Sequence, residues 1–219
     1  MTETWAQRAA TPEEAVALVR SGMRVFLHGG CAVSLPLEAA LATRARALEG
    51  VVAYQMHKEG PEPLLDPGLV GHLRVSALFV GAGARDAVAE GRADFVPVFL
   101  SDIPHHIRGG LFPIDVAVVQ LSPPDAHGWC SLGTSVDVAH QAVASARIVI
   151  AEINAQMPRT HGTRGLHLDD LDAFILTDRP LLQHVPRPPD ATSVAIGRHV
   201  ADLVDDGATL QVGIGAIPD

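Results

Sequence analysis

Aromatic residues are scarce. Only 4% of the 219 residues are Phe, Trp or Tyr although 47% are hydrophobic, so a core must be built mainly from aliphatic side chains. Lysine is nearly absent: fifteen of the sixteen cationic side chains are Arg and the other is Lys58. No basic run interrupts a formal net charge of −9, which argues against nucleic acid or an anionic membrane surface as the main partner. Cysteine is limited to Cys31 and Cys130, far apart and outside any C-x-x-C pattern. That usage suits two free thiols in a reducing compartment better than a disulfide or a metal pair. No segment approaches the roughly 20 apolar residues of a membrane span, and residues 1–10 lack the apolar stretch of a signal peptide, so the expected location is the cytoplasm. The eleven histidines never fall in H-x-x-x-H or H-E-x-x-H spacing, and no metal site is expected. No serine, including Ser101, Ser122, Ser131 and Ser135, lies in a G-x-S-x-G elbow.

What the chain does contain is an alternation of short apolar runs and amphipathic segments. Residues 115–162 show it best. An apolar run over 115–121 enters a loop rich in Pro, Gly and Ser. An amphipathic segment over 136–146 follows, then a second apolar run over 148–153 and a second polar loop. Runs of β-branched and aliphatic residues bounded by turn formers predict buried strands, and two of them around one helix predict a βαβ unit. Ligands gather at the carboxyl ends of strands in open parallel sheets, and both polar loops leave from such ends.

The same grammar runs through the rest. Thr11-Pro12-Glu13-Glu14 predicts a capped helix start. A strand over 24–28 runs into Gly29-Gly30, and Leu37, Leu41, Ala45 and Leu48 then repeat with helical spacing. The Gly29-Gly30 turn either needs positive φ or offers amide donors to a carboxylate or phosphate. Strands are expected over 51–55, at 78–80, over 95–100, over 173–177 and over 208–212. Residues 59–71 are expected to be a surface excursion, because Pro and Gly are too dense there for regular structure. Gly81-Ala82-Gly83 opens like a dinucleotide fingerprint, but Asp86 replaces the third glycine, so a strand-to-helix turn fits better than a nicotinamide site. Thr192 or Ser193 is expected to cap a helix with Ile196, Val200, Leu203 and Val204 on one face. Four prolines within residues 180–190 read as a linker. One α/β domain is thus expected over 1–186, followed over 187–219 by a linker and the opening helix and strand of a second α/β domain cut short.

Among reactive residues, Cys130 lies near His127, and Asp125 and Asp137 suit caps or turns as well as acids. Glu152 ends a strand on the presumed ligand side, as a reacting carboxylate or as half of an ion pair.

Four blocks carry a family likeness: EGRADFVPVFLSDIP (90–104), DVAVVQLSPPDAHGWCSLGTSVD (115–137), NAQMPRTHG (154–162) and IGRHVADLVDDGATLQVGIGAIPD (196–219). In this order they resemble the acetyl-CoA hydrolase/transferase family, the coenzyme A transferases that include 4-hydroxybutyrate and acetate CoA-transferases. The resemblance implies a CoA-transferase-type α/β fold, an open, mainly parallel sheet with flanking helices, in two similar domains with the active site between them. It implies coenzyme A, as acyl-CoA, and a small carboxylic acid as partners, and no metal. CoA would move through a glutamyl-CoA intermediate whose nucleophilic glutamate lies beyond the GIGAIP motif, so no residue here matches it. Gly213, Ile214, Gly215, Ala216 and Ile217 match the glycine turn that contacts CoA, with Gln211 and the Gly29-Gly30 turn as substrate-side candidates. The chain alone is expected to be inactive. An alternative is a non-catalytic CoA-binding half that pairs with a separate chain carrying the glutamate. Exposed apolar surface on a shortened second domain would favour a homo-oligomer.

Overall fold

The structure, a computed structural model, describes residues 5–162, 165–185, 188–213, 215 and 217. The chain divides into two compact units, Met1–Leu182 and Gln183–Asp219.

The first unit is built on a seven-stranded parallel sheet. Its strands are β1 (Arg24–Leu27), β2 (Val51–Gln55), β3 (Leu73–Ala77), β4 (Asp94–Phe95), β5 (Val116–Leu121), β7 (Ile148–Asn154) and β9 (Ala173–Thr177), in the order β4-β3-β2-β1-β5-β7-β9. Two short strands, β6 (Trp129–Cys130) and β8 (Leu166–His167), pair antiparallel beside it. Helices α1 (Pro12–Val16) and α2 (Leu35–Ala45) pack on one face, and α4 (Ile103–Arg108) and α5 (Ala139–Ser145) on the other. A short α3 (Arg85–Ala89) follows the Gly81–Gly83 turn.

Strand periodicity sorts the core. Val25, Leu27, Val51, Ala53, Val116, Val118 and Ile150 join Leu37 and Leu41 in one cluster, while Phe26, Tyr54, Val119, Leu121, Ala151 and Phe174 join Ile103 and Ala139 in the other. Alternate side chains leave opposite faces of a strand, so one parallel strand feeds both clusters. Thr11 and Glu14 form the expected capping box, and β2 and β9 have the expected bounds. The predicted unit within 115–162 is β5-α5-β7, with the two strands parallel and paired from Val116↔Ile148 to Leu121↔Ile153.

Several expectations need correction. The strand expected at 78–80 lies earlier, at β3, whose pairing with β2 ends at Ala77. Of 95–100, only Phe95 is in a strand; β4 is the sheet edge, and Phe99 is 78% exposed. Residues 59–71 are more than a surface excursion: two 3-10 turns, Pro63–Leu65 and Pro67–Leu69, bury Leu64 and Leu69. In the second unit α6 (Ala191–Ala201) is capped by Asp190, whose side chain accepts from the Ser193 N–H, and it buries none of its residues. Residues 208–212 are irregular and exposed. A strand needs a ladder partner, and the second unit has none among its described residues.

Candidate functional site at the carboxyl edge of the sheet

The strand order reverses between β1 and β5, since the chain winds outward from β1 to β4 on one side and from β5 to β9 on the other. Such a switch point opens a crevice at the carboxyl ends of the strands. Here the alternation on the α2 face changes character. In β2 the series Val51, Ala53 ends in Gln55. In β5 Val116, Val118 ends in Gln120, and in β7 Ile150 is followed by Glu152 and Asn154. The apolar stripe becomes a buried polar layer along one edge.

The layer is tied together by hydrogen bonds. Gln120 donates from Nε2 to the Val33 carbonyl at 2.8 Å and accepts at Oε1 from Asn154 Nδ2 at 2.9 Å. Asn154 Oδ1 accepts from the Gln156 and Arg179 N–H groups. Glu152, fully buried, meets Arg179 in two parallel bonds of 2.7 and 2.9 Å and accepts from Thr177 Oγ1 at 2.6 Å. Arg179 also donates to the Val33 carbonyl at 2.8 Å. Val33 therefore receives two donors just before α2 begins. Glu152 resolves as half of an ion pair, not a free nucleophile.

His28 follows β1 and is 2% exposed. Its Nδ1 accepts from the Gln120 N–H at 3.1 Å, so the proton resides on Nε2, which donates to the Ser135 carbonyl at 2.5 Å. Burial holds its pKa below the ordinary imidazole value, and the bond to the Ser135 carbonyl opposes that shift. Gly29 and Gly30 come next. Gly30 has φ +59°, a Cβ there would lie 2.8 Å from Ser135 Oγ, and its N–H donates to the His57 carbonyl at 2.9 Å. The turn is glycine for conformation and close approach, and the Gly30 amide is already committed.

Lys58, bridged through its backbone to Gly30, adds a buried ionic cluster. Its ammonium contacts Glu38 Oε2 on α2 and lies 3.0 Å from Glu62 Oε2, while Gln55 Nε2 lies 3.3 and 3.4 Å from the two Glu62 oxygens. Side-chain exposures are 0% for Lys58, 1% for Glu38 and 12% for Glu62. Burial pushes the Glu38 carboxyl up to about 7; Lys58 opposes this and Glu62 adds to it. Gln55 Oε1 and Ser34 Oγ are buried without a protein partner. Sequence spacing did not announce this cluster. The signals available were the unique lysine and a glutamine closing an apolar strand.

The other candidates separate from this edge. Cys130 is fully buried in β6 and burial raises its thiol to about 12, which removes the Cys-His reading. Asp125 accepts from the Trp129 and His127 N–H groups; these bonds, the one to Trp129 foremost, hold its carboxyl below the usual range. Asp137, at φ +23°, accepts from the Val138 and Ala139 N–H groups ahead of α5. The Gly81–Gly83 turn packs against Glu62, and α3 after it has only five residues. Gln211, Gly213, Gly215 and Ile217 are exposed residues of the second unit, and Ile214 and Ala216 lie outside the described residues. Among the described residues no cluster of three potential metal ligands occurs, and no helix is long and apolar enough to cross a membrane.

Comparison with known proteins gives a consistent result. Residues 1–186 match the family model described as "Acetyl-CoA hydrolase/transferase N-terminal domain". The succinyl-CoA:acetate/propanoyl-CoA:succinate CoA transferase of Fasciola hepatica is 40% identical over 214 residues, covering 96% of this chain and 44% of that protein. The 4-hydroxybutyrate coenzyme A transferase of Clostridium kluyveri is 39% identical over 217 residues, covering 99% and 51%. Among solved structures, RipA from Yersinia pestis superposes with a TM-score of 0.87 at 29% identity, covering 98% of this chain and 52% of that one. The chain thus spans about half the length of the curated relatives it matches.

Proposed function

This chain belongs to the acetyl-CoA hydrolase/transferase family through its N-terminal domain, and from that premise we propose that it forms one wall of a site where coenzyme A passes between an acyl-CoA and a small carboxylic acid. The observation that carries this is the polar layer at the switch point, where Gln55, Gln120, Glu152 and Asn154 replace core residues at the carboxyl ends of β2, β5 and β7. A buried polar layer at the crevice where strand order reverses, in place of the apolar residues that fill the rest of the sheet, supports ligand work there.

In the reaction proposed, a glutamate carboxylate supplied from outside this chain attacks the thioester carbonyl. The C–S bond breaks and CoA leaves as the thiolate, giving an acyl–glutamyl anhydride. The thiolate then attacks the glutamyl carbonyl, releasing the acid and leaving glutamyl-CoA, from which a second carboxylate collects CoA by the reverse steps. A carboxylate is a poor nucleophile in water, so walls that exclude water and donors that meet the developing oxyanion are the required contributions. His28, Gly29 and Gly30 lie on this wall. Gly213, Ile214, Gly215, Ala216 and Ile217, with Gln211, are proposed to contact CoA from the second unit. Water in place of the second acid would make the same site a hydrolase. We place the protein in the cytoplasm and propose a homo-oligomer.

Titrating CoA into the purified chain, and separately incubating it with acetyl-CoA and propionate, tests the reading. Saturable CoA binding without acyl transfer is expected. Transfer by this chain alone, free of contaminating enzyme, would overturn the placement of the nucleophile, and absence of CoA binding would overturn the wall.

A further inference from the structure

We propose that Lys58 and Gln55 form a carboxylate-binding subsite that Glu62 occupies in this structure, and that the carboxylate of a small acid can take the place of Glu62. The proposal rests on the reading of this edge as an acyl-transfer wall and identifies where the acid would be held.

Charge arithmetic is the first argument. The cluster holds one cation and two carboxylates. Glu38, in the tighter contact and fully enclosed, is the nearer partner of Lys58. Glu62 is a second carboxyl group brought close to a buried one, and a purely structural ion pair would do without it. Geometry is the second. Glu62 receives an ammonium at 3.0 Å and amide contacts at 3.3 and 3.4 Å, a donor pair that would recognise any carboxylate. Glu62 has the most exposed side chain of the cluster, at 12%, so it closes the side nearest solvent.

The third argument is independent of charge. Gln55 is 2% exposed, its Nε2 faces the Glu62 carboxylate, and its Oε1 on the same amide has no partner. A buried acceptor left open requires an explanation. A ligand that brings a carboxylate and a donor, such as a small hydroxy acid, would satisfy both ends of that amide. Location is the fourth. Lys58 pairs with Gly30, so the subsite adjoins the switch-point crevice. Glu62 lies on the Pro- and Gly-rich segment that follows, and a Cβ at Gly83 would stand 2.8 Å from its Cγ. Glycine at that position makes the room in which the Glu62 side chain lies.

The test is titration of acetate and of glycolate into the chain and into Glu62→Ala, with chloride at matched ionic strength as the control, following the amide signals of Gln55, Lys58 and Gly83 by NMR. Glu62→Ala removes the internal competitor and should tighten acetate binding at least about tenfold. Glycolate should bind tighter still, and Glu62→Ala/Lys58→Met should bind neither. A well-folded Glu62→Ala with no saturable shift at Gln55 and Lys58, or equal shifts with chloride, would overturn the subsite. Glu62→Gln, which keeps the packing, replaces Glu62→Ala if the latter does not fold, and the same tightening is required of it. CoA titration of the same samples separates the two readings. CoA binding without acetate binding would overturn the subsite alone, whereas loss of both would overturn the wall as well.

Discussion

Arg179 holds Glu152 by two parallel hydrogen bonds, Nε to Oε1 at 2.7 Å and Nη2 to Oε2 at 2.9 Å, across the boundary between β7 and the segment that follows β9. The carboxylate is fully enclosed while the guanidinium side chain keeps 20% exposure. The pair therefore joins a buried charge to one that reaches the surface, and it closes the sheet edge over the Val33 carbonyl.

Removing the cation should be costly, because a buried carboxylate without a partner is worse than none. Arg179→Met is expected to destabilise the first unit by about 3–5 kcal/mol, read from urea unfolding. Arg179→Lys should recover less than half, since an ammonium cannot reproduce the two-point fork. Equal stability of Arg179→Met and the parent would contradict the structural role assigned to the pair.

Glu38 sets a pH dependence. Its folded-state carboxyl is raised from 4.5 to about 7, chiefly by burial, so the native state binds the proton more tightly than the unfolded chain. Its contribution is then fully present below the unfolded value and is lost as pH rises through the folded one. Stability should decline between about pH 4.5 and 7, by at most on the order of 3 kcal/mol from this group. Glu38→Gln should flatten that part of the profile, and Glu62→Gln, which removes a like charge, should narrow the window. A Glu38→Gln profile as steep as the parent's would refute the assignment.

Gly30 tests the turn. Its φ of +59° alone should cost an alanine about 1–2 kcal/mol, and the 2.8 Å approach to Ser135 Oγ adds to it. In a double-mutant cycle Ser135→Ala should recover only the steric part of the Gly30→Ala loss. Full recovery would mean that the backbone conformation is not strained.

The two thiols should differ in reactivity. Cys130 is fully enclosed with its thiol raised to about 12, whereas Cys31 is partly exposed. Iodoacetamide at pH 8 should label one thiol per native chain, at Cys31, and two after denaturation, by intact-mass measurement. Native labelling at Cys130 would show that β6 opens readily.

Much of the fold was legible because its causes are local. The five-residue runs at 51–55 and 173–177 are, Gln55 apart, β-branched or apolar and bounded by turns, and they are strands with those bounds. Thr11 through Glu14 contain both halves of a capping box. The run 95–100 misled for a tertiary reason. Its hydrophobicity resembles that of a central strand, but it leads out from the sheet edge, where only Asp94 and Phe95 find partners. Residues 208–212 misled similarly, since propensity cannot supply a neighbouring strand.

By itself the sequence determined the parallel α/β architecture and the family. These follow from two-residue and 3.6-residue periodicity, turn chemistry and block order, all readable along the chain. Only the tertiary structure decided that Glu38, Lys58 and Glu62 converge beside Gly30, and that Glu152 spends its charge on Arg179. The physical reason is that parallel pairing joins strands distant in sequence and packs helices on them, so side chains 20 or 27 residues apart meet at one edge through tertiary packing.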